Sequence, residues 1–468
     1  MTGAALVEAL VERGLDPGEV PAKRSLFDLV LSRFLQVSPQ DHSTTGLHAW
    51  WVPGRLEVFG THTDYAGGRT LVCAVPRGFA VVARARADGT VRVWDARREQ
   101  DVALAPDRLR ADSLTVPYTG WRNYADVVTR RLARNFQGAA LGADIVVASD
   151  LPRASGMSSS SALVVAIATV LARVAGLESR AEWRDNIAGP RDVAGYYACI
   201  ENGLSFGTLT GDAGVGTHGG SEDHAAIVTG RPGHLTAFAF VPMRTIDVVP
   251  VPGQWRFVLT PSGVAAQKTG LAREAYNRLA GGTRVLLDLW HSASPVVVPS
   301  LSAALVTRAR PSDSSAPRSA ASDRLRDLVR RSNVEGWTRD ALERRLDHFI
   351  REDARIPDAI VAFRNGDTSQ VGQLAEESQQ DAETLLGNQI AETCALSRTA
   401  RTLGAFAARS FGAGFGGSVW ALVERERAES FARSWHADAF VASAGPPLVE
   451  LTSLPQDHLR DPAARTDG

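Results

Sequence analysis

The chain has 468 residues, 44% of them hydrophobic and 22% charged, which is enough for more than one core and too apolar for a disordered chain. With 51 basic against 52 acidic residues the formal charge is −1, so nothing in it favours nucleic acid or an anionic membrane as a partner. Cys73, Cys199 and Cys394 are odd in number and lie far apart in no Cys-x-x-Cys spacing, which indicates neither a disulfide framework nor a zinc site and fits a reducing, cytoplasmic setting.

The N-terminus carries acidic residues within its apolar part and lacks a basic start, unlike a signal peptide. The most apolar run, Ala162 to Ala172, is stopped by Arg173 short of the roughly 18 residues a membrane span requires. The first 36 residues read as two amphipathic helices, the second over Ser25–Gln36, packing as a cap. Strand patterns follow at Ala49–Val52, Arg55–Phe59, Phe79–Arg84 and Thr90–Trp94. Between the second and third lies Gly60-Thr-His-Thr-Asp-Tyr-Ala-Gly-Gly68, a polar loop of the kind that carries function when rigid strands hold it.

Trp121–Phe136 reads as a helix and Ala143–Ala148 as a buried strand. The stretch Leu151-Pro-Arg-Ala-Ser-Gly-Met-Ser-Ser-Ser-Ser-Ala162 then leads into an Ala/Leu/Val-rich helix running to Leu177. A loop entering a helix through glycine and serine leaves unpaired N–H groups at the positive end of the helix dipole, with hydroxyls beside them, an arrangement that holds phosphate. One serine would suffice as an N-cap, and the others are the right chemistry for phosphate oxygens or magnesium. The two lysines, Lys23 and Lys268, follow no Gly-x-x-x-x-Gly, so this is not a lysine-bearing P-loop.

A further helical run ends near Asp192–Asn202, and Gly203–Gly220 holds seven glycines. Next come Ser221–Val228, whose apolar end reads as a strand or a helix start, strands at His234–Val241 and Arg256–Thr260, and a helix over Ala272–Leu279. Arg308–Ser322, rich in Ser, Pro, Ala and Arg, reads as an exposed insertion. Thr338–Phe411 reads as mostly helical, Ser410–Ser418 as a glycine cluster before the strand Val419–Val423, and the residues after Pro455 as a frayed polar tail.

Taken together, Pro53-Gly-Arg-Leu-Glu-Val-Phe-Gly-Thr-His-Thr-Asp-Tyr-Ala-Gly-Gly68, the serine loop and Gly412-Ala-Gly-Phe-Gly-Gly417 resemble the three ordered motifs of the GHMP small-molecule kinases, and the first resembles the galactokinase signature. Gly219–His224, Ser262–Val264, Asn365–Asp367 and Gly372–Ser378 add supporting matches. The resemblance implies an α+β, two-domain GHMP kinase fold: an N-terminal mixed β-sheet with helices, a C-terminal α/β sandwich-like domain, and the active site between them. The expected boundaries are 1–205, 206–455 and a tail over 456–468. It further implies ATP- and Mg2+-dependent phosphorylation of the anomeric hydroxyl of a galactose-related sugar by a monomer or weak homodimer. Another small-alcohol GHMP kinase and a non-catalytic sugar-sensing relative are the alternatives.

On this resemblance Asp223 is the catalytic aspartate, accepting or orienting the attacking hydroxyl's proton, and Arg55 supports it while neutralising the transferred phosphoryl group. Alone, Asp223 reads as a helix cap and Arg55 as a strand-surface arginine. The implied sugar contacts are Thr61, His62, Asp64, Gly220 and Tyr276. Gly156, Met157, Ser158, Ser159, Ser160, Ser161 and Ala162 would hold the nucleotide, and Ser159, Ser160 and Glu201 the magnesium ion. His218 and His224 read as structural.

The chain departs from the galactokinase pattern in two places. Thr61 stands where galactokinases have glutamate, and Glu222-Asp-His224 stands where they have Met-Asp-Gln. With Thr61 facing the outer end of the sugar, galactose is expected to be a poor substrate beside one lacking the terminal hydroxymethyl, such as L-arabinose, or carrying a carboxylate there, such as galacturonate.

Overall fold

The structure, a computed structural model, describes residues 1–38, 46–106, 118–152, 156–264, 270–306 and 317–452. The expected polar tail and the first part of the Arg308–Ser322 insertion lie outside these residues.

The chain opens with α1 (Gly3–Val11) and α2 (Val20–Val37). The second helix begins before the expected Ser25 because Pro21 falls in its first turn, where the missing N–H has no partner to lose. Leu6, Leu10, Phe27 and Phe34 of this pair pack on Trp51, Val82 and Val146 of the sheet beneath. Buried Lys23 bonds Glu19 at 2.9 Å and Asp150 at 2.5 Å, fastening α2 to the start of the serine loop.

That sheet is built on β1 (His48–Phe59) and β2 (Arg69–Ala85), an antiparallel pair joined by the Gly60–Gly68 loop. The sequence reads β1 as two strands because Pro53 and Gly54 interrupt its pattern. A register shift between Pro53 and Arg55 instead absorbs the interruption and lets one strand continue. Next come β3 (Val91–Asp95), β4 (Gln100–Leu104), α3 (Arg122–Asn135), β5 (Ala143–Ser149) and α4 (Ser159–Val174). They are followed by α5 (Ala181–Arg184), α6 (Pro190–Asn202), α7 (Glu222–Thr229), β6 (His234–Ala239) and β7 (Arg244–Pro250).

The remaining elements are β8 (Trp255–Pro261), α8 (Gly270–Ala293), α9 (Leu301–Val306), α10 (Pro317–Arg331), α11 (Arg339–Asn365) and α12 (Thr368–Asp381). The chain closes with α13 (Ala391–Thr402), β9 (Ala407–Phe411), β10 (Ser418–Glu424), α14 (Ala428–Trp435), β11 (Phe440–Ala442) and β12 (Val449–Glu450).

The larger sheet is mixed, in the order β12-β1-β2-β5-β3-β4, with β6 on β2 and β7 on β6. The length of β2 makes this possible: Arg69–Val72 pair with β6, and Phe79–Ala85 pair with β5. The smaller sheet, β11-β8-β10-β9, is antiparallel. This is the expected α+β class with two sheets.

Several expectations need correction. Strands β6, β7 and β12 belong to the first sheet, so a boundary at 205/206 does not separate the two sheets. The Ser221–Val228 stretch is helical, while Ala407–Phe411, expected to continue a helix, is a fully buried edge strand of the second sheet, packed against α12. Pro317–Ser322 forms the start of α10, with Ala321 in the core, rather than exposed insertion. Strand β7 was missed because Arg244, Thr245 and Ile246 are exposed on it and give no apolar alternation.

Candidate active site

A cavity of about 910 Å³ lies where β1, the N-terminus of α4, α6, α7, α8 and the Gly412–Ala413 turn converge. The shift in β1 turns Arg55 toward it. Its N–H donates to the Met157 carbonyl at 3.3 Å, and its Nη1 donates to the Gly156 carbonyl at 2.5 Å. Its Nε donates to Asp223 Oδ1 at 2.6 Å and lies 3.5 Å from Glu222 Oε1. Burial alone would lower the guanidinium pKa, but Asp223, Glu222 and Glu57 outweigh it and push the group above its ordinary value. Arg55 is therefore a fixed buried cation, not a strand-surface residue.

Asp223 sits in the first turn of α7, and its second oxygen accepts from Ser161 Oγ at 3.1 Å. It does not cap that helix. Asp64, from the β1–β2 loop, accepts the Glu222 N–H at 3.1 Å with Oδ2. Burial raises the Asp64 carboxyl to about 6, against that N–H and with Asp223 adding to the rise. Gly220 also faces Asp64, and a Cβ there would fall on the carboxylate.

Gly156, Ser158, Ser159, Ser160 and Ser161 line the cavity. Ser158 stands at the N-cap of α4 with φ 57° and makes no capping bond through its side chain. The serine run is thus not spent on capping, and Ser159, Ser160 and Ser161 line the cavity from the first turn of α4, where a helix leaves N–H groups without intrahelical partners. Met157 and Ala162 do not follow the expected pattern. Their side chains are packed in the main core, and Ala162 N–H is used within the helix, donating to Ser158 O at 2.9 Å.

His62 and Tyr276 also line the cavity, with ring centroids 5.3 Å apart. The His62 ring nitrogens lie 2.9 Å from Tyr65 Oη and 3.1 Å from the Ala413 carbonyl, tying the β1–β2 loop to the last glycine turn. Glu201 also lines the cavity and lies 3.2 Å from His224 Nε2, so His224 belongs to the site wall rather than to the core alone. One carboxylate and the serine hydroxyls facing a common space form a hard-oxygen donor set of the kind that suits magnesium.

Thr61 requires the largest correction. It is 2% exposed and does not line the cavity. Its hydroxyl donates to Glu57 and accepts from Arg409, inside a buried cluster that also contains Glu352. Arg409, itself 0% exposed, donates to Glu352 Oε1 at 3.1 Å, and Glu352 in turn holds the Gly60 N–H at 2.9 Å. The threonine therefore supports the loop from behind. The carboxylate that faces the cavity from this strand is Glu57, two residues beyond Arg55 and on the same face. That period-two spacing, and an acid within an apolar strand, were the available sequence signals. Glu222 was likewise passed over as a site residue, although it lines the cavity.

Comparison with known proteins gives three family matches. Residues 40–85 match the galactokinase galactose-binding signature, 123–197 the GHMP kinases N terminal domain, and 359–442 the GHMP kinases C terminal domain. The galactokinase of Exiguobacterium sibiricum is 26% identical over 435 residues, covering 91% of this chain and 97% of its own. That of Roseiflexus is 29% identical over 381 residues, covering 81% and 84%. Among solved structures, Lactococcus lactis galactokinase complexed with galactose superposes with a TM-score of 0.70 at 21% identity, covering 90% of this chain and 98% of that one. The mevalonate kinase of Methanococcus jannaschii follows at 0.53 and 12% identity, covering 85% and 98%.

Proposed function

We propose, from the premise that the chain is a galactokinase-like member of the GHMP kinases, that it is an ATP-dependent sugar kinase that phosphorylates the anomeric hydroxyl of a galactose-related monosaccharide. One observation carries the reading. Arg55 bonds both Asp223 and the backbone of the serine loop, so a base for the sugar and a cradle for the phosphates share one wall.

In this reading Asp223 takes or orients the proton of the anomeric hydroxyl as its oxygen bonds to the γ-phosphorus and the bond to the departing ADP breaks. Arg55 neutralises charge on the transferring group, and the α4 N–H groups with Ser158–Ser161 hold phosphate oxygens. Ser159, Ser160 and Glu201 are the residues that would hold magnesium, which when bound supplies further neutralisation of phosphate charge. His62, Asp64, Gly220 and Tyr276 form the sugar wall. No observation favours the sensing role or another small alcohol.

The test is a screen of hexoses, pentoses and uronic acids for ATP-dependent phosphate transfer, with the product assayed for loss of its reducing end. ADP release with a blocked anomeric carbon is the expected result. Turnover that leaves the reducing end intact, or no turnover with any sugar, overturns the reading.

A further inference from the structure

Among the cavity carboxylates without a task in the reaction above are Glu57 on β1 and Glu222 at the start of α7. They are 3% and 4% exposed. Glu222 Oε1 is buried and has no hydrogen-bond donor among the described residues. Its nearest cation is Arg55 Nε at 3.5 Å, a nitrogen already committed to Asp223 at 2.6 Å. Glu57 is held from behind by the Thr61 hydroxyl, with Arg409 Nη2 at 3.7 Å from the same carboxylate. With Asp223, three carboxylates therefore act on the guanidinium of Arg55, and Asp64 lines the same cavity.

We propose that Glu222, backed by Glu57, determines sugar specificity: it accepts a hydrogen bond from a donor substituent of the sugar, hydroxyl or ammonium, and turns away sugars that carry a carboxylate. The inference rests on the sugar-kinase reading. A buried acceptor without a donor gains most from a ligand that supplies one. Burial pushes the Glu222 carboxyl well above its ordinary range, with Glu57 adding to the rise and Arg55 opposing it. Thr61 faces away from the cavity, so the acidic-sugar expectation drawn from it has no structural footing at that position. Loss of the family's carboxylate at position 61 leaves the pocket with its acids elsewhere.

The test is calorimetric binding of galactose, galactosamine and galacturonate to wild type and to Glu222→Gln, with ADP release measured on the same samples. Wild type should bind galacturonate at least roughly tenfold more weakly than galactose, and galactosamine no more weakly than galactose. Glu222→Gln should weaken galactosamine by about tenfold, weaken galactose less, strengthen galacturonate, and leave the ATP Kd unchanged. Equal shifts for all three sugars, or equal wild-type affinity for galactose and galacturonate, overturn the proposal. Binding in the stated order without ADP release overturns the kinase reading and leaves this one standing, and ADP release with the wrong order does the reverse. Failure of all three sugars to bind overturns both. If Glu222→Gln does not fold, the wild-type comparison decides alone.

Discussion

Ser161 Oγ donates to Asp223 Oδ2 at 3.1 Å, so the helix that carries the proposed phosphate cradle also orients the proposed base. The other oxygen of that carboxylate faces Arg55 Nε at 2.6 Å. Asp223→Asn keeps the shape but removes charge and basicity. It should lower kcat by on the order of 10²–10⁴ while leaving the ATP Kd close to wild type. Steady-state kinetics with nucleotide binding by calorimetry checks this, and wild-type turnover would remove Asp223 from the mechanism.

Ser159→Ala combined with Ser160→Ala should weaken nucleotide binding in the presence of magnesium and leave the melting temperature nearly unchanged. No serine side chain caps α4 at Ser158, so the helix loses no cap when these hydroxyls go. An unchanged ATP affinity with a lowered melting temperature would instead make these serines structural.

Thr61→Glu should not improve galactose turnover. The new carboxylate would enter a buried cluster that already holds Glu57 and Glu352, where extra volume and like charge together cost roughly 1–3 kcal/mol. Urea denaturation measures the loss. Turnover of galactose that rises without loss of stability would return position 61 to the sugar site.

Glu352 provides the opposite test. Burial opposes its ionisation, but Arg409 and Arg355 overcome this and hold the carboxyl at about 2. Because its folded pKa lies below the ordinary 4.5, its contribution is present above about pH 4.5 and is lost as the pH falls toward 2. Glu352→Gln leaves Arg409 buried beside an uncharged partner and should destabilise by about 3–5 kcal/mol at neutral pH. Differential scanning calorimetry across pH 3–7 should show the gap from wild type closing toward the acid end.

Asp64 carries the reverse sign. Its carboxyl is raised from 3.8 to about 6, so the folded state holds the proton more tightly, and its contribution is lost as the pH rises through that window. Asp64→Asn has no charge to bury. Relative to wild type it should gain up to about 3 kcal/mol between pH 4 and pH 7, while sugar affinity falls. A difference from wild type that does not change with pH would contradict the assigned shift.

The order of motifs was legible because glycine and serine loops keep their signatures in one dimension, and so Arg55, Asp223 and the serine run were found as members of one site. The direction of side chains was harder to read. Thr61 and Glu57 are four residues apart, and only the fold brings Arg409, remote in sequence, behind the loop to turn one inward and leave the other at the cavity. The sheet order was hidden for a similar reason: β2 serves two partners along its length, a property of pairing that no local pattern carries.

The Gly412 turn touches the serine loop main chain to main chain, so a Cβ at Gly412 would stand 2.8 Å from the Gly156 carbonyl oxygen, at a φ of +82°. Evolution has little freedom at this junction. Any side chain at Gly412 acts as a wedge between segments 256 positions apart, displacing the same carbonyl that receives Arg55 Nη1 at 2.5 Å. A change there would reach Asp223 through Arg55 without touching either residue. The spread of natural substitutions should therefore stop abruptly at Gly412 even where neighbouring side chains vary.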